Sequence, residues 1–140
     1  LAGQIGDHFL TAVYGIYRSG DRSFTFARGG HCFPILIRNG AVTELESRGG
    51  FIGRFPAMTF EEREVRLEPG DRLVLYTDGI IDARNGGGEE YGERRLMDML
   101  GKAGAGGSAA LTRAIIEAAQ GFQSRGDFDD DVCVIVMQVR

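Results

Sequence analysis

The final strand-like stretch limits what this chain can fold into more than any other segment. From Val132 to Val139 it is apolar on both faces, with Val132, Val134 and Val136 on one side and Cys133, Ile135, Met137 and Val139 on the other. Successive side chains of a strand point to opposite faces, so such a segment is expected to be a central strand with cover on both sides. A free hairpin or a one-sided meander is thereby excluded. With 140 residues, 43% of them hydrophobic, the chain can supply that cover as one domain, 1–140.

The upstream segments supply the partners. Phe9 to Tyr17 and Ser23 to Ala27 are rich in aromatic and β-branched residues and flank a Gly-containing loop, which predicts a hairpin. Phe33 to Arg38 and Ala41 to Glu46 flank Asn39-Gly40, and the tolerance of this pair for positive φ predicts a two-residue type I′ turn. Glu62 to Leu67 alternates polar and apolar, and Pro69-Gly70 leads into Arg72 to Tyr76, which reads as a third hairpin. The period then becomes helical. Leu96, Met97 and Leu100 predict a helix ended by Gly101, and Ser108 caps a longer one whose Leu111, Ile115, Ala118 and Phe122 share a face. Antiparallel strands followed by two helices and a closing strand define an α+β fold.

Composition removes several classes of function. The balance of 16 Lys and Arg against 20 Asp and Glu gives −4, and no basic block occurs, so the chain lacks the clustered cations of a nucleic-acid surface. The longest apolar runs, such as Pro34-Ile35-Leu36-Ile37, are far shorter than the roughly 20 residues that span a bilayer. Cys32 and Cys133 show no metal-ligand spacing and read as free thiols of a cytoplasmic protein. Gly accounts for 22 residues, well above the usual share of about 7%, which implies many tight turns. The first residue is Leu1 rather than Met, so the chain is expected to be a piece of something longer.

Two acidic sites carry the chemistry. Thr77-Asp78-Gly79 ends the strand Arg72 to Tyr76, and Asp127-Phe128-Asp129-Asp130-Asp131 precedes the strand Val132 to Val139. If these strands are antiparallel neighbours, both sites lie at one end of the sheet. Two carboxylates about 4 Å apart repel by roughly 4 kcal/mol at an effective dielectric near 20, so a cation belongs between them. Hard oxygen donors without His or Cys favour Mg²⁺ or Mn²⁺, and such ions activate water toward a phosphate ester. Taken singly, Asp78-Gly79 also reads as a plain turn and the aspartate run as a solvated cap. His31, in Gly29-Gly30-His31-Cys32, either lines a ligand site or packs its loop. Arg84, Arg94 and Arg95 read either as attractors of a phosphoprotein or as ordinary surface. No Walker-type, GxSxG or HExxH motif occurs.

The stretch Gly70-Asp71-Arg72-Leu73-Val74-Leu75-Tyr76-Thr77-Asp78-Gly79-Ile80-Ile81-Asp82-Ala83-Arg84-Asn85 resembles the metal-dependent protein phosphatases of the PPM family, in the bacterial SpoIIE and RsbU branch. Phe9 to Gly15, Gly30-His31, Tyr91-Gly92-Glu93-Arg94-Arg95-Leu96 and Asp130-Asp131-Val132 extend the likeness over nearly the whole chain. The resemblance implies an α-β-β-α sandwich of two antiparallel sheets with a two-metal Mn²⁺ or Mg²⁺ centre, hydrolysing phosphoserine or phosphothreonine on proteins. It implies that Asp78 and Asp130 are metal ligands, with Asp131 the alternative to Asp130 and Gly79 and His31 lining the site. The substrate it implies is a phosphorylated anti-sigma-factor antagonist in a partner-switching pathway, and a homodimer is compatible with it. The family's other carboxylates lie in a Gly-Gly-Asp strand and a Gly-Asp-x-x-Gly-His-Gly turn that these residues lack, and Gly6-Asp7-His8 is a chance likeness to the second. The chain therefore resembles the C-terminal part of a phosphatase domain without its N-terminal strands. A degenerate, non-catalytic binding module is the competing expectation.

Overall fold

The computed structural model describes residues 9–53, 58–104, 106–123 and 127–140; Gly6-Asp7-His8 lies outside them. Seven strands and two helices follow in order: β1 (Ala12–Arg18), β2 (Ser23–Gly29), β3 (Ile35–Arg38), β4 (Ala41–Glu44), β5 (Glu62–Arg66), β6 (Arg72–Tyr76), α1 (Gly92–Lys102), α2 (Ser108–Phe122) and β7 (Val134–Gln138), with a 3-10 turn at Asp78–Ile80 after β6. They fall into two compact units, Leu1–Phe33 with Leu45–Glu68, and Pro34–Glu44 with Pro69–Arg140.

The first unit holds an antiparallel sheet in the order β1-β2-β5. Its predicted hairpin closes at the Arg18–Ser23 pair. Asp21 accepts the Ser23 N–H and hydroxyl at 3.1 and 2.9 Å, so a side chain braces the turn. Phe24 and Phe26 are buried, their rings 5.4 Å apart and nearly parallel.

The second unit holds an antiparallel sheet in the order β4-β3-β6-β7. Asn39 and Gly40 both have positive φ, as the two-residue turn between β3 and β4 demands. Ile35, Ile37, Leu73 and Val74 are buried in the sheet, and Leu96, Leu100, Leu111, Ile115 and Ala119 are the helices' buried residues. α2 lies on β7, and α1 touches β4 and α2. Asp71 is 2% exposed and receives the Arg38 guanidinium at 2.6–3.1 Å, so its charge is compensated inside the fold. The buried Arg72 donates to the carbonyls of Ala103, Gly104 and Gly106 and so fixes the link between the helices.

Four expectations need correction. β5 and β6 are not a hairpin, since β5 joins β2 in one sheet while β6 joins β3 and β7 in the other. Their composition explains the split: β5, Glu-Arg-Glu-Val-Arg, is charged and suits an edge, whereas the buried β6 needs neighbours on both sides. β7 is an edge strand among the described residues, and its Ile135 is 55% exposed. Apolar residues on both faces of β7 thus reported neither the cover of Ile135 nor the strand's lateral partners. α1 runs through Gly101 and stops at Ala103, and the N-cap of α2 is Gly107, with Ser108 inside the helix.

Candidate functional site

β6 and β7 are antiparallel neighbours, with Tyr76 opposite Val134. The register carries Thr77 to Cys133, and the Thr77 N–H donates to the Cys133 carbonyl at 3.0 Å. The Thr77 hydroxyl closes the junction twice. It accepts the Cys133 N–H at 2.8 Å and donates to the Asp131 carbonyl at 2.9 Å. One side chain thus ties the end of β6 to the segment ahead of β7, and the two acidic sites meet at one end of the sheet.

The turn that follows is equally constrained. Asp78 opens the 3-10 turn, whose Gly79 and Ile80 are buried while Asp78 itself is exposed. A Cβ on Gly79 would lie 2.7 Å from the Asp131 carbonyl oxygen and 3.1 Å from a Val132 methyl, so only glycine lets the turn approach. One carboxylate oxygen of Asp130 accepts the Asp131 N–H at 2.7 Å. Asp131 contributes its carbonyl to the clamp; its carboxylate, like those of Asp78 and Asp130, is on an exposed residue.

Asp82 adds a charge that sequence reading did not single out. Partial burial raises its carboxyl above the ordinary carboxylate value, the neighbouring Asp78 and Glu90 push the same way, Arg84 opposes them and Asp130 adds to the rise. Its N–H donates to the Asp78 carbonyl at 2.8 Å. The spacing Asp78-x-x-x-Asp82 was the available signal. Among the described residues no group of three or more His, Cys, Asp or Glu side chains converges as metal ligands.

The other flagged residues have partners of their own. His31 belongs to the first unit, where its carbonyl accepts the Arg28 guanidinium at 2.7 Å and its Nδ1 faces the Cys32 carbonyl at 3.3 Å. Arg84 pairs with Glu90 at 2.6 Å. Arg95 binds Glu89 at 2.5 Å and the carbonyls of Glu90 and Tyr91, bracing the start of α1, and holds the Glu89 carboxyl below the usual range. Cys32 and Cys133 are free thiols. No helix among the described residues is long and apolar enough to cross a membrane.

Comparison with known proteins agrees with this architecture. The phosphatase domain of the cell fate determinant SpoIIE from Bacillus subtilis, presoaked with Mn, superposes with a TM-score of 0.76 at 18% identity, over 92% of this chain and 56% of that one. Protein IcfG of Synechocystis sp. is 34% identical over 94 residues, 66% of this chain and 15% of its own length. Phosphoserine phosphatase RsbU of Bacillus subtilis is 29% identical over 82 residues, 57% of this chain and 24% of its own. This chain therefore spans a quarter or less of those two relatives. The two antiparallel sheets and two helices are those of a PP2C-type phosphatase domain, of which this chain covers a part. The family described as Stage II sporulation protein E (SpoIIE) matches residues 2–140, and the chain belongs to that family, in the SpoIIE and RsbU branch of the PPM phosphatases.

Proposed function

We propose that this chain is part of a divalent-metal-dependent protein phosphatase domain in which Asp78 and Asp130 are ligands of Mn²⁺ or Mg²⁺, with Asp131 the alternative to Asp130. The observation that carries the reading is the Thr77 clamp, which brings Asp78 and the run Asp129 to Asp131 to one sheet end. The donor set fits such an ion, since both groups are carboxylates on exposed residues and carry hard oxygen donors. When bound, the ion supplies an activated water at neutral pH and a counter-charge for a phosphoryl group. The chain's own part is to bring the two acidic sites to one sheet end: Thr77 ties the strands, Gly79 allows the close turn, and Asp82 lies beside Asp78.

The substrate of this reading is phosphoserine or phosphothreonine on a regulatory protein of the anti-sigma-factor antagonist type, in the cytoplasm, and the two free thiols suit a reducing compartment. Residues 1–140 act as one partial domain in it, supported by a single family match running through both units. The test is Mn²⁺-dependent release of phosphate from a phosphoserine protein by this chain or by the natural polypeptide that carries it. Loss of release in both Asp78→Asn and Asp130→Asn is expected, and undiminished release in both overturns the ligand assignment. A second reading, a non-catalytic binding module on the same fold, is favoured by the lack of a third converging ligand among the described residues. It predicts phosphoprotein binding without turnover at any metal concentration.

A further inference from the structure

The first unit contains a cavity of about 380 Å³ lined by Arg28, Phe33, Glu46, Ser47, Arg48, Glu61 and Arg63. Ser47 is 5% exposed, and its hydroxyl has no hydrogen-bond partner. A buried hydroxyl left without a partner is unfavourable, so a lining hydroxyl of this kind indicates a polar guest. The backbone around it is firmly placed. Gly30 N–H donates to the Gly49 carbonyl at 3.2 Å, Glu61 N–H donates to the Arg48 carbonyl at 2.8 Å, and a Cβ on Gly49 would collide with the Arg28 carbonyl at 1.8 Å.

The charge of the wall specifies the guest. Arg28 gives its hydrogen bonds to neutral carbonyls, two to Ser47 and one to His31, and stacks 4.1 Å over the Phe33 ring. Its charge therefore meets no carboxylate. Glu61 is already engaged, since it accepts the Arg48 N–H at 2.8 Å and faces Arg63 at 3.8 Å. Three guanidinium groups, Arg28, Arg48 and Arg63, against two carboxylates, Glu46 and Glu61, leave the lining with one net positive charge around an unsatisfied hydroxyl. We propose that this cavity is a binding site for a phosphate-class anion, either a phosphoryl group carried by a protein or free inorganic phosphate. Guanidinium forks and a hydroxyl donor match the geometry and charge of a phosphate dianion. The inference stands on first-unit residues alone and does not depend on the acid pair.

The experiment uses the chelator-treated chain, so that no metal contributes, and follows the amide NMR resonances of Arg28, Ser47 and Arg48. Inorganic phosphate, a phosphoserine peptide and its unphosphorylated counterpart are titrated separately. Saturable shifts with phosphate or the phosphopeptide are expected, and none with the unphosphorylated peptide. Arg48→Ala combined with Arg63→Ala is expected to weaken binding by about tenfold, the scale of one charge-assisted hydrogen bond. Ser47→Ala is expected to weaken binding while its melting temperature stays level or rises, which a purely structural hydroxyl would not give. Tighter binding of the phosphopeptide identifies a protein-borne guest, and binding of inorganic phosphate at least as tight identifies the free anion; both uphold the site. Unmoved amides with both phosphate probes, or native affinity in the arginine and serine variants, overturn it.

Discussion

Gly79 and Asp131 lie so close that a single added methyl group on residue 79 would stand 2.7 Å from the Asp131 carbonyl oxygen. Backbone atoms of the acid run, not a flexible side chain, fill that space. Gly79→Ala is therefore expected to destabilise the chain by about 1–3 kcal/mol through overpacking. Denaturant unfolding checks the loss, and a native midpoint would show that the turn can back away from β7.

Thr77 acts through its hydroxyl at both ends of one junction. Thr77→Val keeps the shape and removes both bonds, which is expected to lower stability by about 1 kcal/mol at this exposed location. Thr77→Ser restores the hydroxyl and should recover most of it. Equal unfolding midpoints for the valine and serine variants would remove the clamp from the account of the site.

Asp71 is buried and held by Arg38, whose side chain is partly exposed. Removing the guanidinium leaves a carboxylate inside the fold without its cation. Arg38→Met is expected to cost about 3 kcal/mol, whereas Arg38→Lys retains part of the pairing. Thermal melts of the two variants separate the charge from the geometry.

Asp82 has a folded carboxyl raised above its unfolded value, chiefly by burial and then by Asp78 and Glu90. The folded chain accordingly holds this proton at a pH where the unfolded chain has released it. Its stabilising contribution is complete below the unfolded carboxylate value near pH 4 and is lost as pH rises through the folded value. Asp82→Asn cannot ionise, so it should be more stable than the native chain at pH 7 and lose that margin in acid. Parallel melts from pH 3 to about pH 7 test the crossing.

Divalent metal offers a measurement independent of turnover. A ligand that binds the folded state at a hundredfold excess over its dissociation constant stabilises it by about 2.7 kcal/mol. Mn²⁺ is expected to raise the melting temperature of the native chain and not that of Asp78→Asn or Asp130→Asn. An equal rise in all three would place the ion elsewhere.

The reach of the sequence differed from feature to feature. Asn39-Gly40 announced its hairpin because two consecutive positive φ values leave few alternatives. The meeting of Asp78 with the aspartate run was legible as a condition on two strands being neighbours, and β6 and β7 meet it. The separation of β5 from β6 was hidden, because alternation along a strand encodes its faces and not its neighbours. The Thr77 clamp and the cavity beside Ser47 were hidden for a related reason. Each depends on which backbone atoms from distant segments arrive at one point, and residue types alone do not carry that information.

Among the described residues β7 is an edge strand without charged side chains through Gln138, with Ile135 exposed on it. Such an edge is a template for pairing with another molecule, and flanking charges are what ordinarily keep it from doing so. The charges that precede this strand are Asp129 to Asp131, a run that includes Asp130 and Asp131, the proposed metal ligand and its alternative. On the proposed reading their negative charge would serve both the metal and the edge, and substitutions that neutralise it are expected to promote self-association. A loss of activity in such variants has meaning only when light scattering shows the chain still monodisperse.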